Sequence, residues 1–385
     1  MNNISITGEA CVGCRSCEQT CPKKCIIMTE NHEGFLYPIV QERECIGCGL
    51  CIKVCPCEQI NVLGHIPFQT FALRNKDEQS LFRSASGGAA TAAALSILKR
   101  HGIVYGASYD NELCVKHIKV STSKDLEKLQ SSKYVQSDTG NCYSEVKKFL
   151  LSGNTVLFSG TPCQIDGLYA FLGKKYENLY TIDLICHGLP SPKLLRNYFK
   201  YQEKRLGEKV CYYNFRSKEK RGWGTHYLLK SKSKSETKAL SLDKYGKQFL
   251  SGNCYRECCY KCRYANTVRM GDITVGDFWG IYKNHPEIIS TYGVSSVFLN
   301  TQKGKTLLNS IENTVFLKEV TLGEAMVKQC NLLRPTHRPR SRDNFYKNID
   351  NDNFFENLRI GIQIISRVKS KIPNSLLLYL KRKLK

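Results

Sequence analysis

Twenty cysteines stand in this 385-residue chain, and eight of them are written as one pattern repeated. Cys11, Cys14, Cys17 and Cys21 before Pro22 return as Cys45, Cys48, Cys51 and Cys55 before Pro56, with gaps of two, two and three residues each time. Three closely spaced thiolates hold three corners of an iron–sulfur cubane, and the cysteine before proline reaches across to the other cluster. Cys11, Cys14, Cys17 and Cys55 are therefore expected to ligate one [4Fe–4S] cluster, and Cys45, Cys48, Cys51 and Cys21 a second. Zinc prefers ligands in two pairs, which this three-plus-one arrangement does not offer. Disulfides need an oxidising compartment, and the N-terminus reads neither as a basic start nor as an apolar signal core.

This stretch resembles a bacterial two-cluster ferredoxin, with all eight cysteines and both prolines in place. One such module leaves most of the chain unaccounted for, and the length allows two or three domains. An apolar content of 42% supports a sizeable core elsewhere. The cysteine count without a secretory signal implies a reducing cytoplasm, and no apolar run is long enough for a bilayer span. The formal charge of +23 is uneven, because residues 1–60 carry five Lys and Arg against seven Asp and Glu. A basic body beside an acidic head points to an anionic substrate or cofactor, an anionic membrane or nucleic acid. Nucleic acid is the least expected of these, because the basic residues come without a reading motif.

The elements that position the remaining chemistry alternate. Polar residues around Arg74 to Glu78 read as a linker. Ser86-Gly87-Gly88 then opens an alanine-rich helix, either as a plain cap or as a phosphate cradle. Apolar strands are expected at 102–107, 113–121, 155–158 and 180–185, with helices at 126–129 and 143–151. Two of these strands run straight into Gly160-Thr161-Pro162-Cys163-Gln164 and Cys186-His187-Gly188. Such alternation argues for an α/β layer with ligands at the strand ends. Cys254, Cys258, Cys259 and Cys262 crowd together before Asp272-Ile-Thr-Val-Gly276-Asp277-Phe-Trp. Cys114, Cys142, Cys211 and Cys330 read as small buried apolar residues.

Together with Ser132-Lys133-Tyr134-Val135-Gln136, these motifs resemble the coenzyme F420 hydrogenase/dehydrogenase beta-subunit family across most of residues 70–340. The resemblance implies an α/β flavoprotein domain carrying a third [4Fe–4S] cluster near its flavin. Cys163, Cys186, Cys259 and Cys262 are its implied ligands, with Cys254 and Cys258 competing for the fourth place. It also implies that Ser86, Gly87, Gly88, Lys133, Gly160, Gln164 and Asp277 bind the FAD or FMN. Use of coenzyme F420 itself stays open. No Gly-x-Gly-x-x-Gly follows a strand, so a Rossmann-type nicotinamide site is not expected.

The expected fold is thus an α+β ferredoxin-like module with two [4Fe–4S] clusters, followed by a larger α/β flavoprotein domain. Its boundaries are residues 1–62 for the ferredoxin, 63–80 for a linker, 81–165 and 166–345 for the two parts of the larger domain, and 346–385 for a basic amphipathic tail. The tail either packs on its own domain or makes a peripheral membrane contact. The expected activity is an oxidoreductase. An electron-donor protein or a deazaflavin feeds the clusters, a flavin reduces a small anionic substrate, and His187 donates the proton. The competing expectation is an electron-relay subunit with no substrate of its own.

Overall fold

The computed structural model describes residues 3–59 and 64–358. The expected features of Ile60 to Leu63, and the amphipathic tail from residue 359 onward, lie outside the described residues.

In the N-terminal region, β1 (Ile26–Glu30) pairs antiparallel with β2 (Leu36–Val40). Two short helices, α1 (Ser16–Thr20) and α2 (Leu50–Lys53), each carry the third cysteine of a repeat. Both follow a residue in the left-handed region, Arg15 at φ 65° and Gly49 at φ 70°. That turn swings the backbone around the preceding thiols.

The larger domain is built on an eight-stranded sheet in the order β13-β3-β12-β11-β7-β6-β4-β5. Its central strands are β4 (Ile103–Tyr109), β6 (Val156–Gly160), β7 (Leu179–Leu184) and β11 (Ile273–Asp277). These four run parallel. Strands β5 (Val115–Val120) on one side, and β12 (Ser295–Leu299), β3 (Gln69–Asn75) and β13 (Val315–Val320) on the other, complete the sheet antiparallel.

Alternating side chains cover the two faces, as the two-residue strand period requires. Val104, Leu157 and Ile182 pack with α4 (Ala89–Leu98) and α9 (Gln302–Asn309). Ile103, Tyr105, Val156 and Phe158 pack with α5 (Cys142–Leu151) and α6 (Pro162–Leu172) on the opposite face. Between β7 and β11 the chain forms α7 (Pro192–Leu206), a three-stranded sheet of β8 (Val210–Asn214), β9 (His226–Ser231) and β10 (Ser235–Ala239), and α8 (Lys244–Leu250). Its aromatic core includes Tyr198, Tyr213, Phe215, Tyr227 and Tyr245.

Most expected elements fall where the pattern put them, but residues 63–80 are not a linker. Gln69–Asn75 is β3, hydrogen-bonded on both edges, and Glu78–Arg83 forms α3, capped by Asp77 through a 2.8 Å bond to the Ser80 N–H. Of the polar residues read as a tether, Arg74 and Asn75 end β3, Asp77 caps α3 and Glu78 opens it, and Arg74 lies over the Phe316 ring at 3.9 Å. Cys211 and Cys330 are exposed and Cys114 is half-buried, so of the four cysteines read as buried only Cys142 is.

The two regions are bonded together. Ser16 Oγ donates to the Gly167 carbonyl at 2.7 Å, Thr139 Oγ1 to the Cys14 carbonyl at 3.0 Å, and Gln136 Nε2 to the Val12 carbonyl at 3.0 Å. A Cβ on Gly167 would come within 2.9 Å of the Cys14 side chain, so α6 reaches that cysteine only because it carries glycine there.

Candidate iron–sulfur and ligand site

Three groups of cysteines sit in sequence across this junction. Outermost, Cys21, Cys45, Cys48 and Cys51 line one small apolar cavity of about 20 Å³, together with Cys25. The pattern assigned Cys25 no role, yet its sulfur lies 3.5 Å from that of Cys21. Cys48 is exposed.

The second group is Cys11, Cys14, Cys17 and Cys55. Burial lifts the Cys14 thiol to about 12, and Cys11 and Cys55 add to the rise. Cys17 is raised by burial and then by Cys14, Cys11 and Cys55. Three thiols that resist ionisation together in a dry site, Cys11, Cys14 and Cys17, are what a cationic metal core relieves. Cys57 is a second cysteine outside the repeat. Its thiol donates to the Ala10 carbonyl at 3.1 Å, and it hydrogen-bonds Cys55, pulling that thiol down to about 6.

The third group lines a cavity of about 250 Å³ at the carboxyl ends of β6 and β7, with Cys57 on its wall. Cys163 enters from the first turn of α6, where Thr161 caps the helix with Gln164 in a capping box. Cys186 stands two residues past the end of β7, and Cys258, Cys259 and Cys262 come from the long insertion. Cys163 is raised far above its ordinary value by burial, then by Cys186, Cys262 and Cys258. Cys186 is lifted to about 12 by burial, with Cys262 and Cys258 contributing. Cys258 is therefore the member of the Cys258–Cys259 pair felt by both strand-end thiols. Cys254 is fully buried in the aromatic core of the insertion and does not line the cavity, which removes it from the contest. Cys163 and Gly167 are four residues apart on α6, so the second and third groups meet that helix about 6 Å apart along its axis.

Behind the third group lies a separate cavity of about 290 Å³. The two cavities share a wall of Thr161, Cys186, His187, Gly188 and Leu189. Of the seven residues expected to bind cofactor, Ser86, Gly88, Lys133, Gly160, Gln164 and Asp277 line this second cavity. Gly87 does not. It is glycine because a Cβ would stand 2.1 Å from the Leu73 carbonyl oxygen and 2.4 Å from the Ser295 nitrogen, so it docks the turn on β3 and β12.

Gly88, at φ 84°, leads into α4, whose first turn has no side-chain cap. Gly88, Ala89 and Ala90 line the cavity, so the unpaired N–H groups of the helix start and the positive dipole end stand at its wall. Cations hold the turn from behind. Arg216 Nη2 donates to the Ala85 carbonyl at 3.0 Å, and Lys218 Nζ donates to the Leu81 and Ser86 carbonyls at 2.6 and 2.8 Å. Burial and Arg216 pull the Lys218 ammonium down to about 7, and burial does the same to Lys133.

Asp277, the carboxylate on this wall among the described residues, receives Arg216 at 2.7 and 2.9 Å and Trp223 Nε1 at 2.7 Å. Trp279 stacks on Trp223 with ring centres 4.6 Å apart. Gln164 is less free than expected: its side chain bonds the Thr161 N–H, the Ser137 carbonyl and the Ser137 hydroxyl. Arg216 and Lys218 were not foreseen, and only Arg-Ser-Lys between two strands could have signalled them. His187 stands on the shared wall, and burial lowers its pKa from the ordinary histidine value. His117 is held between Ser159 O and Ser137 Oγ, each at 3.0 Å, and stacks on Phe158. It is a structural histidine.

The fold and its cysteine groups define an iron–sulfur protein with a ferredoxin-type N-terminal region and a larger α/β domain. Residues 10–59 match the model of the 4Fe-4S dicluster domain, and residues 153–324 match that of the C terminus of the coenzyme F420 hydrogenase/dehydrogenase beta subunit. The chain thus joins a 4Fe-4S dicluster domain to a domain of the coenzyme F420 hydrogenase/dehydrogenase beta-subunit family, as its motifs suggested. A chain of the F420-reducing [NiFe] hydrogenase complex from Methanosarcina barkeri, solved with xenon derivatization, is similar at 20% identity and a TM-score of 0.44. The match covers 66% of this chain and 83% of that one. No curated protein matches the sequence. Among the described residues, no helix is long and apolar enough to cross a membrane.

Proposed function

We propose that this protein is an iron–sulfur flavoprotein oxidoreductase in which electrons enter at the outer cysteine group and leave through a flavin in the cation-lined cavity. The carrying observation is the shared wall, where one cavity collects thiols and its neighbour collects a helix start and cations. Bound clusters would carry single electrons, and a bound flavin would gather two for a substrate.

The residues divide the remaining work. Cys163, Cys186 and Cys262, with Cys258 or Cys259, are placed to hold a third cluster. Gly88 and the first turn of α4 suit a flavin phosphate. Lys133, which has no carboxylate partner among the described residues, favours anions, in the flavin and in a small anionic substrate beside it. His187, between the two cavities, is placed to deliver a proton to substrate. The donor is a reduced carrier protein or a deazaflavin meeting the outer group, where Cys48 is exposed. The matched family is named for a beta subunit, which favours one second reading: a relay that hands its electrons to a larger assembly.

Anaerobic purification followed by cofactor extraction tests the proposal. About twelve iron and twelve sulfide per chain are expected, following from three cubanes, together with one flavin. Iron near eight, or no flavin, sinks it. His187→Gln should lower turnover about a hundredfold, the lower range for a lost general acid, with both cofactors retained. Reoxidation of the flavin by a protein partner and by no small molecule would favour the relay.

A further inference from the structure

Four arginines are almost fully buried in this protein: Arg216, Arg256, Arg269 and Arg342. Three have carboxylate partners, Arg216 with Asp277 at 2.7 Å, Arg269 with Asp183 at 3.2 Å and Arg342 with Glu33 at 2.6 Å. Among the described residues, no carboxylate lies within ion-pair distance of Arg256, which is only 1% exposed. A guanidinium is always charged in proteins, and burying that charge without compensation is strongly unfavourable.

The position of Arg256 shows what compensates it. Nε donates to the Cys11 carbonyl at 2.6 Å, Nη2 to the Leu36 carbonyl at 2.9 Å and Nη1 to Gln136 Oε1 at 3.2 Å. The Tyr37 ring covers it at 4.0 Å. Its electrostatic neighbours are Cys11, from the second cysteine group, and Cys258 and Cys259, from the third. Gly13, between Cys11 and Cys14, has no room for a side chain, because a Cβ would meet Gln136 Nε2 at 2.7 Å and Arg256 Nη1 at 3.1 Å. The acidic residues of that cavity are engaged or remote: Glu257 pairs with Arg338 at 2.8 Å, and Glu9 is exposed.

We infer that Arg256 is a redox-positioning residue, the shared counter-cation of the second and third clusters, raising the reduction potential of both while leaving the outermost cluster untouched. A cubane with four thiolates is anionic and gains one more negative charge on reduction. A fixed cation between two cubanes therefore favours the reduced state of each. The outer group, Cys21, Cys45, Cys48 and Cys51, has no such neighbour in its cavity wall beyond the exposed Lys23. The buried cation would thus make the electron path run downhill from the surface inward.

The inference rests on the three-cluster reading, and its test separates the two. In an anaerobic redox titration followed by electron paramagnetic resonance, the parent, Arg256→Gln, Arg256→Lys and Gln136→Glu are compared. Gln136→Glu keeps the contact with Arg256 but pairs it with a carboxylate, at the loss of the Nε2 bond to the Val12 carbonyl, so its iron content is checked against the parent first. Arg256→Gln and Gln136→Glu should each shift two of the three couples at least tenfold toward the oxidised form, which is 59 mV for one electron. The third couple should stay within threefold, and Arg256→Lys should keep all three near the parent. If Arg256→Gln loses iron, Gln136→Glu decides alone. Unmoved couples at parental iron content, all three couples moving together, or Arg256→Lys falling as far as Arg256→Gln would overturn the inference. A parent with near eight iron overturns the three-cluster reading itself, before any variant is compared.

Discussion

The two cavities on either side of His187 differ in what they gather. One brings Cys163, Cys186, Cys258, Cys259 and Cys262 to a single space. The other contains one of those sulfurs, Cys186, at the shared wall, and is otherwise bounded by the α4 start, Lys133, Arg216 and the Asp277 carboxylate that Arg216 neutralises. Thiolates suit iron, whereas a helix start beside a lysine with no carboxylate partner among the described residues suits phosphate or carboxylate. The contrast says that metal and organic ligand belong to adjacent but separate compartments. Cys186 and His187 are consecutive residues standing on the boundary between them.

The largest effects should come from emptying one compartment and leaving the other. Cys186→Ser should remove about four iron per chain, one cubane, while the N-terminal clusters keep their spectra. Lys133→Met should leave iron unchanged and weaken flavin retention about tenfold or more, since its ammonium donates only to carbonyls and no ion pair is broken. Iron assay and flavin release on gel filtration measure both. If Lys133→Met lost iron, or if both variants lost both cofactors, the two cavities would be one site and the comparison would collapse.

A smaller effect separates the adjacent cysteines. Cys258 is felt electrostatically by Cys163, Cys186 and Cys262, whereas Cys259 packs against the aromatic core of the insertion. Cys258→Ser should therefore cost the third cluster and Cys259→Ser should spare it. The family resemblance favours the opposite choice, so either outcome in the iron assay assigns the ligand.

How far the site could be read from residues follows the same division. The outer two groups are local. Each takes three cysteines from one repeat of eleven residues and its fourth from the other, the spacing announces both, and Cys21, Cys45, Cys48 and Cys51 line one cavity. The strand ends at Gly160, Leu184 and Asp277 were also legible, because short apolar runs ended in chemistry-bearing turns. What stayed hidden was long-range. Arg216 reaches Asp277 across 61 positions, and Arg256 reaches Cys11 across 245, with nothing periodic to announce either. Strand β3 was misread because its end is polar, although both its edges are paired inside the sheet. Gly87 was read as a phosphate residue when its missing side chain serves contact with β3 and β12.

The smallest effect tests whether the cations behind the 84–88 turn are held at a cost. Lys218 is 3% exposed, and its two partners are carbonyls, not carboxylates. Its pKa falls to about 7 in the folded protein, against about 10.4 for an ordinary lysine. Between those two values the unfolded chain binds a proton that the folded chain has released, so this group makes stability rise with pH across that window and adds no slope below it. One proton sets the ceiling at about 1.4 kcal/mol per pH unit. Thiols and tyrosines titrate in the same range, so the quantity to follow is the difference between the parent and Lys218→Met. In anaerobic urea unfolding at pH 7 and pH 9.5, the parent should gain stability relative to the variant as pH rises. Parallel curves would mean that Lys218 keeps its proton when folded, and that the insertion presents a fully charged ammonium to the turn. The cation-lined cavity would then be more strongly anion-selective than its neighbour, and the contrast between the two compartments would sharpen.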